Sequence, residues 1–149
     1  SVFDTVFKSI HLSKNAQEFI SILQKKGILV GLVSGGFTPI VERLAKSLGI
    51  SYFSANQLEV KDGFLTGKLV GEIVTGQVKQ VTLEKWRKEF GFSKERTIAI
   101  GDGANDLLML KSAGCSIAFC AKEVVKSEIA CHVDTRELLE VLPLIDFLE

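Results

Sequence analysis

Two aspartates stand four residues apart in Gly101-Asp102-Gly103-Ala104-Asn105-Asp106, and glycines flank the first of them. The segment follows an apolar run, Thr97-Ile98-Ala99-Ile100, and opens a helical pattern, Leu107-Leu108-Met109-Leu110. That order puts the acids on a tight turn at the carboxyl end of a buried strand, the edge at which open α/β sheets bind ligands. Carboxylates this close repel unless a cation or a cationic side chain sits between them. Oxygen-only ligands of this kind suit a hard ion such as Mg2+. Taken alone, the same residues also make an ordinary solvated Asp-Gly turn.

Two further segments carry chemistry. Ser34-Gly35-Gly36 lies between an apolar run and a proline-started helix. A hydroxyl and unhindered backbone N–H groups at such a turn can cradle a phosphate, although glycines that merely supply unusual dihedrals give the same pattern. Lys79 sits near the start of a helical stretch, against the preference for acidic groups there. That mild cost points to a nearby anion, while an exposed lysine reaching into solvent is the default.

The elements that must position these residues follow from periodicity. Ser13 reads as an N-cap, with Ala16, Phe19, Ile20 and Leu23 at helical spacing and Gly27 as the stop. Ile28 to Val33 reads as a strand buried on both faces, ended by Ser34-Gly35-Gly36. Thr38-Pro39 supplies a cap and a first-turn proline for a helix with the stripe Ile40, Val41, Leu44, Ala45 and Leu48, closed by Gly49. Tyr52 to Ala55 reads as a short strand, and Lys61-Asp62-Gly63 as the turn of a hairpin whose return strand continues through Gly67 to Gly71. A helix is expected over Val78–Phe90, a strand over Thr97–Ile100, and a helix over Leu107–Ala113. A strand at Ser116–Phe119 and a helix at Glu123–Ile129 follow, then a last helix from Thr135 that Pro143 kinks or ends. Strands alternating with helices mean an α/β fold with a parallel sheet covered on both faces, here with a small β-hairpin.

The 149 residues fit a single domain, 1–149, and 46 % of them are apolar with a formal net charge of zero. There is no basic excess to attract nucleic acid and no apolar stretch long enough to span a bilayer. Three cysteines without a Cys-x-x-Cys pair fit a reducing, cytoplasmic setting. His11 and His132 share no motif and carry no assigned role.

Val33-Ser34-Gly35-Gly36-Phe37, Lys79 and Gly101-Asp102-Gly103-Ala104-Asn105-Asp106-Leu107 together resemble the second, third and fourth motifs of the haloacid dehalogenase superfamily, in the manner of its phosphoserine phosphatase branch. Asn56, Leu58, Glu59, Gly63, Leu65, Thr66 and Gly67 match that branch's hairpin region, and Ile117 to Lys122 match the segment after the last motif. The resemblance implies a three-layer Rossmann-like core and a hydrolase of serine biosynthesis that converts O-phosphoserine to serine and phosphate through an aspartyl-phosphate intermediate. It implies that Ser34 bonds a phosphate oxygen with help from the Gly35 N–H. Lys79 would neutralise the phosphoryl group, and Asp102 would ligate Mg2+. Asp106 would hold Lys79 or a metal-bound water, with Asn105 beside it at the phosphate.

The family's first motif, Asp-x-Asp-x-Thr or Asp-x-Asp-x-Val, supplies the nucleophile and the general acid, and no Asp-x-Asp occurs in this sequence. Asp4 in Val2-Phe3-Asp4-Thr5-Val6 is a decoy, with Val6 where the second carboxylate belongs. The better match for Ser1 to Ile10 is the end of a helical cap, with Val2, Phe3, Val6, Phe7 and Ile10 as its apolar face. The expectation is an N-terminally truncated core, inactive alone, whose exposed sheet edge invites either the missing segment or a second copy of the chain. A non-catalytic phosphate- or Mg2+-binding module that regulates a partner is the alternative. A dinucleotide-binding domain fits poorly, because Gly101-Asp102-Gly103 lacks the third glycine and its acids would repel a pyrophosphate.

Overall fold

A computed structural model describes residues 15–145. The Ser13 cap, the cap-helix remnant over residues 1–10, Asp4 and His11 lie outside the described residues. The described chain divides into two compact units, residues 20–75 and residues 15–19 with 76–145. Helix α1 spans Ala16–Lys25. Its buried residues are Ala16, Phe19, Ile20 and Leu23, the set that helical spacing singles out.

In the first unit β1 (Gly31–Phe37) leads into α2 (Thr38–Leu48), followed by β2 (Tyr52–Lys61) and β3 (Phe64–Val70). The strand order is β1-β2-β3. β1 pairs parallel to β2 through Gly31↔Tyr52, Leu32↔Phe53 and Val33↔Ser54. The pairing then slips, and Phe37 meets Asn56. Ser34-Gly35-Gly36 therefore does not terminate the strand as expected. It is a bulge within it, of the kind that re-aims backbone groups beside functional sites. Nor is β1 buried on both faces, since Gly31, Gly35 and Phe37 are exposed. Tyr52–Ala55 is not a separate short strand either. β2 runs for ten residues, pairing with β1 by its first half and antiparallel to β3 by its second. At the hairpin turn Asp62 and Gly63 both have positive φ (52° and 80°), which a two-residue turn of this twist requires.

Helix α2 ends as its sequence dictates. Gly49 adopts φ 71°, and the Ile50 N–H donates to the Ala45 carbonyl at 2.8 Å, closing the last turn. Its start differs from expectation: Thr38 is the first helical residue rather than the cap, and its hydroxyl donates to the Asn56 carbonyl.

In the second unit α3 (Gly76–Glu89) is followed by β4 (Ile98–Gly101) and α4 (Leu107–Ser112). β5 (Cys115–Phe119), α5 (Glu123–Lys126) and β6 (Cys131–Val133) complete it. The order is β4-β5-β6, all parallel, with Ile98↔Cys115 through Gly101↔Ala118 in register. The helices and β4 and β5 thus stand where periodicity puts them, within a few residues. β6 was not foreseen, because three residues are too few to show a period. Leu138–Leu144 is a 3₁₀ helix that holds Pro143 within it, not the α-helix expected from Thr135. The core gathers Ala99, Met109, Leu110, Ala113, Ala118, Val125 and Ile129. Leu110 is fully buried whereas Leu108, on the other face of α4, is 47 % exposed. Leu110→Ala should therefore lower the unfolding free energy by about 2–5 kcal/mol and Leu108→Ala by less than about 1, as read from urea denaturation.

Candidate functional site

Each unit carries one of the chemical turns. In the second, β4 runs out at Gly101, and a turn of 3₁₀ helix, Ala104–Asp106, leads into α4. Asp106 is buried at 5 % exposure. A buried carboxylate is tolerated only when its oxygens are bonded and its charge is paired. Both conditions hold. Oδ1 accepts from Lys79 Nζ at 2.7 Å, and Oδ2 accepts from the backbone N–H groups of Asp102 and Gly103, each at 3.1 Å. One side chain thereby fixes the turn on which the other aspartate stands. The Asp102 carbonyl accepts from the Lys122 N–H at 3.0 Å, so that residue is held at both backbone ends.

Lys79 is 7 % exposed, in the first turn of α3. The default of a solvated lysine does not apply: the anion that offsets its unfavourable place in the helix is Asp106. Asp102, by contrast, is exposed, and its carboxylate makes no hydrogen bond or ion pair with any described residue. With the charge of Asp106 cancelled by Lys79, the turn retains one net negative charge, on Asp102. That is the donor a Mg2+ ion would take, since this ion is held by few carboxylates together with water and phosphate oxygens. Among the described residues no group of three His, Cys, Asp or Glu is placed to hold a metal. Asn105 is exposed beside Asp102.

Two glycines, Gly101 of the expected turn and Gly76, which had no expected role, make this arrangement sterically feasible. A Cβ on Gly101 would lie 2.6 Å from the Asp106 Cβ and 2.8 Å from its Oδ2. A Cβ on Gly76 would lie 2.9 Å from the Asn105 carbonyl oxygen, so its absence lets the start of α3 approach the turn and bring Lys79 within reach. Gly101 was legible as part of a glycine-rich turn, but the steric demand was not.

In the first unit the Ser34 Oγ accepts from the Gly36 N–H at 2.9 Å. A hydroxyl that accepts in this way keeps its own proton free to donate elsewhere, which is what a phosphate oxygen needs. Gly35 is exposed at the crest of the bulge. Of the expected site residues, the structure brings Lys79, Asp102, Asn105 and Asp106 together in one unit and Ser34 and Gly35 in the other.

The sequence matches the haloacid dehalogenase-like hydrolase family over residues 1–111. It is 50 % identical over 146 residues to a phosphoserine phosphatase of Streptococcus thermophilus, covering 98 % of this chain and 68 % of that protein. It is 48 % identical, with the same coverage, to a phosphoserine phosphatase of Lactococcus lactis. A substrate-bound phosphoserine phosphatase complex superposes with a TM-score of 0.91 at 42 % identity, covering 96 % of this chain and 68 % of that one. The chain thus spans about two thirds of the length of these three relatives.

Removing one partner of a buried ion pair costs about 3–5 kcal/mol. Lys79→Met should lose that much stability in urea denaturation, and adding Asp106→Asn, which removes the stranded charge, should recover most of it. A loss below about 1 kcal/mol for Lys79→Met would contradict the buried pairing.

Proposed function

This chain belongs to the haloacid dehalogenase-like hydrolases, in their phosphoserine phosphatase branch, and from that premise we propose that it acts on a phosphomonoester, O-phosphoserine, whose hydrolysis yields serine and phosphate. The observation that carries the reading is the division of labour between the two aspartates: Asp106 is spent on Lys79 and on the turn, and Asp102 is left uncommitted.

On this reading each residue has a separable task. Ser34 donates its hydroxyl proton to a non-bridging phosphate oxygen, and the Gly35 N–H assists. Lys79 has three donor positions and uses one on Asp106, so it can present another to the phosphoryl group. Asp106 is a positioning residue, and Asn105 contacts the phosphate from beside the turn. Asp102 holds Mg2+, which when bound offsets phosphate charge and helps orient the group. Such chemistry is dominated by positioning and charge stabilisation.

The nucleophile is the remaining requirement. Phosphoserine hydrolysis through an aspartyl phosphate needs a carboxylate that bonds to phosphorus as the serine oxygen leaves and takes up a proton, and water that then cleaves the acyl phosphate to free the carboxylate and phosphate. The Asp-x-Asp that performs this in the family is not among these 149 residues. Monoester hydrolysis requires accelerations of up to about 10²¹-fold, beyond positioning groups alone. Among the described residues β1 and β4, the strands that carry the two turns, each stand at one end of their sheet's order, with an edge that can accept a further strand.

The 149-residue chain with Mg2+ should release no phosphate from O-phosphoserine above background. Adding a segment that carries Asp-x-Asp-x-Thr, fused or in trans, should restore release, and Ser34→Ala or Asp102→Asn should then lower kcat/KM by roughly 10²-fold or more. Turnover by the chain alone would refute the requirement, and failure of the supplemented chain would refute the activity.

A further inference from the structure

Two consecutive glycines are a poor way to hold a backbone still. Without Cβ atoms, the Gly35–Gly36 peptide can rotate at little cost, yet the proposed phosphate turn needs its N–H groups in a fixed direction. The first unit contains a device that supplies the missing rigidity, and its centre is a residue with no assigned role.

Asn56 lies on β2 opposite Phe37, just past the bulge. Its side chain is buried, 6 % exposed for the whole residue. Nδ2 donates to the Gly35 carbonyl at 2.9 Å, and Oδ1 accepts from the Val74 N–H at 2.6 Å. These partners settle the orientation of the amide, because a carbonyl must meet the NH₂ group and an N–H must meet the oxygen. The Asn56 carbonyl in turn accepts the Thr38 hydroxyl at 3.0 Å, which ties it to the first residue of α2.

The carbonyl of Gly35 and the N–H of Gly36 belong to one planar peptide unit. Asn56 grips its oxygen end, and Ser34 Oγ grips its nitrogen end at 2.9 Å. A planar group held at both ends cannot turn over. Fixing it also fixes the Ser34 side chain, whose oxygen is one of the two grips, and hence the direction in which the hydroxyl proton points.

We propose that Asn56 is a positioning residue for phosphate: by clamping the Gly35–Gly36 peptide against Ser34 it presents the Ser34 hydroxyl and the turn to a phosphoryl group. This deepens the phosphate reading and rests on it. Asn56 does not touch the phosphate. An aspartate in its place keeps the size and still accepts from Val74, but sets an acceptor against the Gly35 carbonyl, so the peptide loses its grip or flips.

The test is titration of the 149-residue chain with inorganic phosphate, followed by backbone and side-chain amide resonances, with Mg2+ affinity measured separately. The wild-type chain should bind phosphate, Ser34→Ala should bind it more weakly, and Asn56→Asp should lose roughly five- to tenfold in affinity, the worth of one hydrogen bond. Mg2+ affinity in Asn56→Asp should stay unchanged, because Asp102 belongs to the other unit; a parallel fall in both affinities would mark general loss of structure and overturn the inference. Phosphate affinity equal to wild type in Asn56→Asp, with Ser34→Ala weakened, would also overturn it. A wild-type chain that fails to bind, or a Ser34→Ala chain that binds as well, would instead remove the phosphate reading itself. Should Asn56→Asp not fold, the wild-type chain decides: phosphate must shift the Asn56 side-chain amide resonances and the Gly36 N–H, and unshifted resonances would overturn the assignment.

Discussion

A carboxylate without water around it must find its hydrogen bonds and its counter-charge in the protein, and Asp106 is such a group. Satisfying it determines much of the second unit. Lys79 must come from α3 to supply the charge, and the helix must approach closely enough to deliver it, which Gly76 permits. The backbone after β4 must turn so that two N–H groups face the second oxygen, and Gly101 must lack a side chain to make room. Buried pairs of this sort add little to net stability compared with apolar packing, but breaking one is costly. The pair is therefore better understood as a specification of geometry: it fixes where a lysine and a neighbouring aspartate stand.

The first unit reaches the same end by neutral means. Its turn has no charged residue, and its order derives from a peptide plane held between Ser34 and Asn56. The two strategies suit the two tasks. On the proposed reading, charge is concentrated where a metal and a phosphoryl group would require compensation. Oriented dipoles would serve where an oxygen need only be held, since they add no net charge that would need burying or pairing.

Much of this was legible in the sequence. The α/β alternation, the glycine stops of α1 and α2, the hairpin at Asp62-Gly63 and the pairing of Lys79 with an anion all follow from local rules that the three-dimensional structure obeys. The rest was hidden for identifiable reasons. The bulge at Ser34-Gly35-Gly36 depends on how β1 meets β2, a non-local register that a single strand's pattern does not encode. β6 is too short to have a period, and the 3₁₀ course of Leu138–Leu144 depends on packing rather than propensity. Asn56 matched the branch's hairpin region, but nothing in Ala55-Asn56-Gln57 says which groups its side chain must meet. The partners, Gly35 and Val74, are far away in sequence.

The same accounting of bonds limits what these residues can do. Asp106 cannot attack phosphorus, because both of its oxygens are engaged and releasing either would strand Lys79 or two backbone N–H groups. Asp102 has free oxygens, yet it is the one carboxylate of the turn left for a cation, and one that ligates Mg2+ has its electron pairs directed at the metal rather than at the substrate. Lysine held as an ammonium has no pair to give, and Ser34 would need a base that its described bonds do not include. On the proposed reading, the part left to these side chains is to position and neutralise rather than to attack. The proposed hydrolysis accordingly assigns the covalent step to a carboxylate other than Asp102 and Asp106.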